Sequence, residues 1–99
     1  MKRPPEIQIN QFQLNALLNQ EEKSIYELIV REHVFCNGCE GAADEGVTVK
    51  EIYLNDLNDV VIQGTCNECG GKVARIIEYG ENKEFYERAM KFRKSIQTK

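Results

Sequence analysis

Two cysteine pairs at one spacing are the chemistry-bearing feature of this sequence. They are Cys36-Asn37-Gly38-Cys39 and Cys66-Asn67-Glu68-Cys69, with 26 residues between them. A CxxC turn can aim both of its sulfurs at one point. Two such turns, brought together by strand pairing, supply four thiolates at about 2.3 Å from a zinc ion. Gly70 directly follows the second pair. A glycine there lets the chain turn back with positive φ and lets amides approach the sulfurs. Four cysteine ligands fill a tetrahedron and leave no position for water or substrate. The spacing therefore predicts one structural zinc on Cys36, Cys39, Cys66 and Cys69, with no catalytic residue and no other cofactor.

The block from His33 to Tyr79 resembles a zinc ribbon, in which two CxxC knuckles each sit on a β-hairpin. Cys66-Asn67-Glu68-Cys69-Gly70-Gly71 matches that pattern. The first knuckle departs from it, since Glu40 stands where the ribbon usually has glycine and Gly38 and Gly41 flank Cys39 instead. The resemblance covers about half the chain and implies a metal and a fold, not a role, because such ribbons serve unrelated functions. Four cysteines also have three other uses. Two structural disulfides need an oxidising compartment. A thioredoxin-like pair needs CxxC opening a helix, whereas Gly70-Gly71 leads into a strand. Iron is the stronger rival, because the pattern is also similar to rubredoxins. Rubredoxins pack aromatics round the site, and only Phe35, Tyr53 and Tyr79 are candidates here.

Other groups point less clearly to chemistry. His33, the only histidine, lies three residues before Cys36 and reads as a neighbour of the site, with no triad arrangement around it. Asp44, Glu45, Glu51, Asp56 and Asp59 lack calcium-loop spacing and read as a solvated acidic surface. Gly70-Gly71-Lys72 faintly resembles a phosphate loop whose other residues are missing. Arg88, Lys91, Arg93, Lys94 and Lys99 form a basic run with no acid after Glu87. The first four are the route by which the chain would touch nucleic-acid phosphates.

The elements that must position the cysteines follow from periodicity. Asn10 is expected to cap a short helix carrying Leu14, Leu17 and Leu18. Asn19 to Lys23 reads as a turn, and Ser24 with Glu27 as the capping box of a second helix to about Glu32. A strand is expected from His33, then strands over Val47–Leu54, Val60–Ile62 and Lys72–Tyr79. Asn82 is expected to cap a last helix with Phe85, Ala89, Phe92 and Ile96 on one stripe. The fold class is therefore α+β: a small zinc-ribbon sheet of about three antiparallel strands, N-terminal helical segments and a C-terminal amphipathic helix. The expected organisation is a single domain over 1–99, with a helical segment over 1–32, the ribbon over 33–80 and the helix over 82–97.

Charge divides the chain in the same places. Residues 36–71 hold seven acids and one base, whereas 72–99 hold eight bases and four acids, and the whole carries a formal −3. That balance argues against whole-surface attraction to nucleic acid. The longest apolar runs are three residues, so no membrane span is expected. Met1-Lys2-Arg3 leads into Pro4-Pro5-Glu6 with no apolar run, which makes the cytoplasm the expected compartment. Taken together, the sequence points to a non-enzymatic, zinc-held platform for a macromolecular partner, more readily protein than nucleic acid, with no small-molecule substrate. The alternatives are a transcription-associated factor using the basic helix, and a rubredoxin-like electron carrier.

Overall fold

A computed structural model of the chain describes residues 3–42 and 45–97. It has three helices and an antiparallel sheet, an α+β fold. In chain order the elements are β1 (Ile7–Ile9), α1 (Gln11–Leu17), α2 (Gln20–Glu32), β2 (Phe35–Cys36), β3 (Gly41–Ala42), β4 (Val47–Leu54), β5 (Val60–Cys66), β6 (Lys72–Ile77), a 3-10 turn (Tyr79–Glu81) and α3 (Lys83–Gln97).

The main sheet has four strands in the order β1-β4-β5-β6, and β2 and β3 form a separate two-stranded hairpin. The three strands expected after residue 46 are present, and Ile7-Gln8-Ile9 adds a fourth by pairing antiparallel with Ile52–Leu54. Three residues carry too little periodicity to announce a strand. Ile9, which is buried in the core, seals one edge of the sheet.

The register places alternate side chains on opposite faces. Ile52, Leu54, Val60, Ile62, Val73 and Ile77 point to one face and pack with Leu14, Leu17, Leu18, Tyr26, Phe85 and Ala89 of the helical segments. Gln8, Tyr53, Val61 and Ile76 form a row across the other face, where Ile76 is 53% exposed.

Both N-terminal helices start with capping boxes. Asn10 caps α1, and its partner is Gln13. The second helix starts earlier than expected. Asn19 accepts from the Glu22 amide and Glu22 returns the bond to the Asn19 amide, so Gln20–Lys23 is helix rather than turn. Ser24 therefore lies inside the helix, its hydroxyl donating back to the Gln20 carbonyl at 3.2 Å. The upstream box prevails because its acid is also held from outside. Arg88 of α3 grips both Glu22 oxygens at 2.9 and 2.8 Å and donates to the Leu17 carbonyl at 2.7 Å. Burial alone would raise the Glu22 carboxyl. Arg88 and the Asn19 amide outweigh it and hold the group below its usual range. The strand expected from His33 starts at Phe35, and His33 is the exposed residue ending α2.

A second cation ties α3 to the β4–β5 loop. Arg93 is only 2% exposed. Its guanidinium donates to Asn58 Oδ1 at 2.7 Å, to the Asn55 and Leu54 carbonyls at 2.6 and 3.3 Å, and to the Pro5 carbonyl. Asn58 is fully buried with φ +59°, and its Nδ2 has no partner. The adjacent Asp59 accepts from the Gly80 amide at 2.8 Å, which fastens the same loop to the 3-10 turn.

Candidate metal centre

Each cysteine pair sits on a hairpin. The first joins β2 to β3, with Cys36 opposite Gly41, and the second joins β5 to β6. Three sets of contacts position the hairpins. Arg75 of β6 donates to the His33 carbonyl at 2.9 Å, which docks the start of β2 on the sheet edge. Cys66 pairs with Val47 across β4 and β5. Asn67 fastens the second knuckle to the start of β4: its amide donates to the Gly46 carbonyl at 3.0 Å, and its side chain meets Thr48 Oγ1 at 2.6 Å and the Glu45 carbonyl at 3.1 Å.

All four sulfurs lie within 4.8 Å of one another. The Cys36 and Cys69 sulfurs are 3.4 Å apart and those of Cys39 and Cys66 are 3.7 Å apart. Four sulfurs placed tetrahedrally at about 2.3 Å from one centre would be separated by about 3.8 Å. A disulfide needs about 2.05 Å, and all four cysteines are free. The four cysteines can therefore hold a metal ion, and the paired-disulfide arrangement is not the one the structure adopts.

The knuckles share a local backbone form that the sequence announced only for the second. Gly70 has φ +75°, as its position after Cys69 suggested, and Glu40 after Cys39 has φ +55°. The non-glycine residue that departs from the ribbon pattern takes the same left-handed turn. In the second knuckle the Gly70 amide donates to the Cys66 carbonyl at 2.9 Å and the Cys66 amide to the Gly71 carbonyl at 2.8 Å. Gly38 meets a different demand, close approach, because a Cβ there would lie 2.9 Å from the Cys69 sulfur.

The sulfurs are not equivalent. Cys36 and Cys66 are buried, Cys39 is partly covered and Cys69 is exposed. The backbone amides of Cys69 and Glu68 hold the Cys66 thiol down to about 7. Its hydrogen bond to Cys66 pushes the Cys39 thiol well above its ordinary range. Metal binding requires the thiols of the cluster to lose their protons, which a bound cation drives.

The aromatic candidates are not gathered round the sulfurs. Tyr53 and Tyr79 belong to the opposite end of the sheet, since Tyr53 lies six positions along β4 from Val47, the partner of Cys66. That is roughly 20 Å at strand rise. Phe35 adjoins Cys36 in the chain but is 61% exposed.

The remaining sequence candidates separate. Glu51 accepts from the Tyr53 hydroxyl at 3.1 Å, Asp56 meets Arg3 at 3.4 Å, Glu45 is exposed and Asp59 is buried. Asp44 and Lys99 lie outside the described residues. Of the basic run, Arg88 and Arg93 make internal contacts, so these two are neither a free solvated face nor free for the alternative, phosphate-facing use. Their spacing does not distinguish a solvated face from one that closes on a loop. Lys91 is exposed, and Lys94 is also on the surface. Asn67, Thr48 and Arg75 position the knuckles and carry no motif, although an asparagine inside each CxxC was visible. No protein-family model, curated protein or solved structure matches the chain. Among the described residues no helix is long and apolar enough to cross a membrane.

Proposed function

We propose that the chain is a non-enzymatic protein that binds one structural zinc ion through Cys36, Cys39, Cys66 and Cys69, and that it offers a rigid surface to a protein partner in the cytoplasm. The observation that carries the zinc reading is the gathering of four free sulfurs, all within 4.8 Å and with separations of 3.4 and 3.7 Å across the knuckles, from two knuckles on different hairpins. Four thiolates satisfy zinc completely and leave it no open position, so its contribution is to folding, on the order of 10 kcal/mol in zinc-finger peptides. The absence of Tyr53 and Tyr79 from the sulfur cluster favours zinc over a rubredoxin-like iron site. A protein partner is favoured over nucleic acid because Arg88 and Arg93 are used internally. The row of Tyr53, Val61 and Ile76 on the sheet face opposite the helices supports the same choice.

The test is metal analysis with cobalt substitution and chelation. One zinc per chain, cobalt bands typical of a tetrahedral thiolate site, and loss of the amide signals of residues 35–77 on chelation are the expected results. A red, iron-loaded protein, or a metal-free chain that keeps those signals, would overturn the reading. For the partner class, titration with labelled single- and double-stranded oligonucleotides at low salt should show no binding. Affinity falling steeply with added salt would favour the nucleic-acid alternative instead.

A further inference from the structure

The four sulfurs differ in what surrounds them. Cys69 is the exposed one, and it is bordered by Gly38, Gly70 and Gly71. A Cβ at Gly38 would lie 2.9 Å from its sulfur and one at Gly71 3.3 Å, so two positions that could cover it carry no side chain. Across the knuckles its sulfur lies 3.4 Å from that of Cys36, and Cys36 is only 1% exposed. A small oxidant thus reaches Cys69 more readily than the other three cysteines, and a buried nucleophile, Cys36, lies behind it. Cys66 shares the Cys69 knuckle but is itself buried, and across the knuckles its sulfur lies 3.7 Å from that of Cys39.

We infer that Cys69 is the oxidation site of this centre: a hydroperoxide attacked by its sulfur leads to a Cys36–Cys69 disulfide across the knuckles and to release of the metal. The inference rests on the reading of the four cysteines as a zinc centre. In the first step the Cys69 thiolate attacks the distal peroxide oxygen, the O–O bond breaks, and hydroxide (or alkoxide) leaves a sulfenic acid. In the second the Cys36 thiolate attacks the Cys69 sulfur, forms the S–S bond and expels hydroxide. Two thiolates lose two electrons and the peroxide gains them. The zinc is left with Cys39 and Cys66, half of its ligands, and dissociates. A dithiol reductant with added zinc reverses the change by thiol–disulfide exchange.

The experiment treats the zinc-loaded full chain with hydrogen peroxide. It follows zinc with a metallochromic dye, counts thiols and maps disulfides by mass spectrometry. One zinc released for each two thiols lost, with the Cys36–Cys69 peptide dominant, is the expected result. A dominant Cys36–Cys39 or Cys66–Cys69 link would overturn the inference. So would retention of zinc under peroxide that oxidises a free cysteine peptide. Gly71→Ala places a methyl against the Cys69 sulfur and should slow zinc release severalfold at unchanged zinc content. An unchanged rate would remove Cys69 as the point of attack. Zinc content measured before oxidation separates the two readings: a chain that takes up no zinc defeats the centre itself, whereas a loaded chain that resists peroxide defeats only this inference.

Discussion

Replacing Arg93 with alanine should destabilise the protein by roughly 3–5 kcal/mol, a cost out of keeping with a base in a surface-like run. Arg93 satisfies four acceptors: Asn58 Oδ1 and the carbonyls of Pro5, Leu54 and Asn55. The bonds to Asn58 and Leu54 are buried, whereas those to Pro5 and Asn55 are part-buried, where water can replace the lost donor. Leaving a buried acceptor without a partner costs about 1–3 kcal/mol each, and two of them set most of the range. Asn58 would then keep neither polar atom satisfied, because its Nδ2 already lacks a partner. The lost packing of the side-chain stem adds to this. Typical total stability is about 5–15 kcal/mol, so the variant should be marginal. Urea unfolding followed by circular dichroism, at equal zinc content, should show the midpoint falling by about 2 M at a slope near 2 kcal/mol/M. Arg93→Lys keeps the charge but not the planar fork, and should fall between wild type and alanine. Lys91→Ala, at an exposed position of the same helix, should stay within about 0.5 kcal/mol. If Arg93→Ala matched Lys91→Ala, Arg93 would not be a buried tie between α3 and the β4–β5 loop.

Two further expectations test the loop and the knuckle. Burial raises the Asp59 carboxyl above its ordinary value, and the Gly80 amide lowers it only in part. Its folded state therefore holds the proton more tightly than the unfolded state. Stability from this group is present below about 3.8, its unfolded value, and is lost as pH rises through the raised folded value. Asp59→Asn keeps an acceptor for Gly80 and should be more stable at neutral pH, with a flatter melting-temperature profile across that window. A lower melting temperature at pH 7 would refute the sign. Glu40→Gly should stabilise the zinc-loaded protein by about 0.5–1 kcal/mol in thermal melts, because a side chain at φ +55° carries a strain that glycine avoids, partly offset by glycine's greater entropy loss. A decrease would mean that the Glu40 side chain itself anchors the first knuckle.

The candidate centre was legible because CxxC is a local pattern: two residues between cysteines suffice to orient both sulfurs, whatever surrounds them. The stripe of Phe85, Ala89 and Phe92 and the strands β4 to β6 were legible for a related reason, since burial of one face leaves a period in the chain. Where two local signals competed, the sequence could not rank them. Asn19 with Glu22 prevailed over Ser24 with Glu27 because Arg88, 66 positions away, grips Glu22. The three residues of β1 acquired meaning only from the partner that β4 supplied. Arg93 shows the limit most plainly. A guanidinium at the end of a basic helix has the same sequence signature whether it meets phosphate, water or a ring of carbonyls. Sequence alone determined that each CxxC can aim its two sulfurs at one point, because turn geometry is short-range. Tertiary structure alone decided how the two knuckles meet, which charges are used inside and which cysteine is exposed, because these depend on segments far apart in the chain.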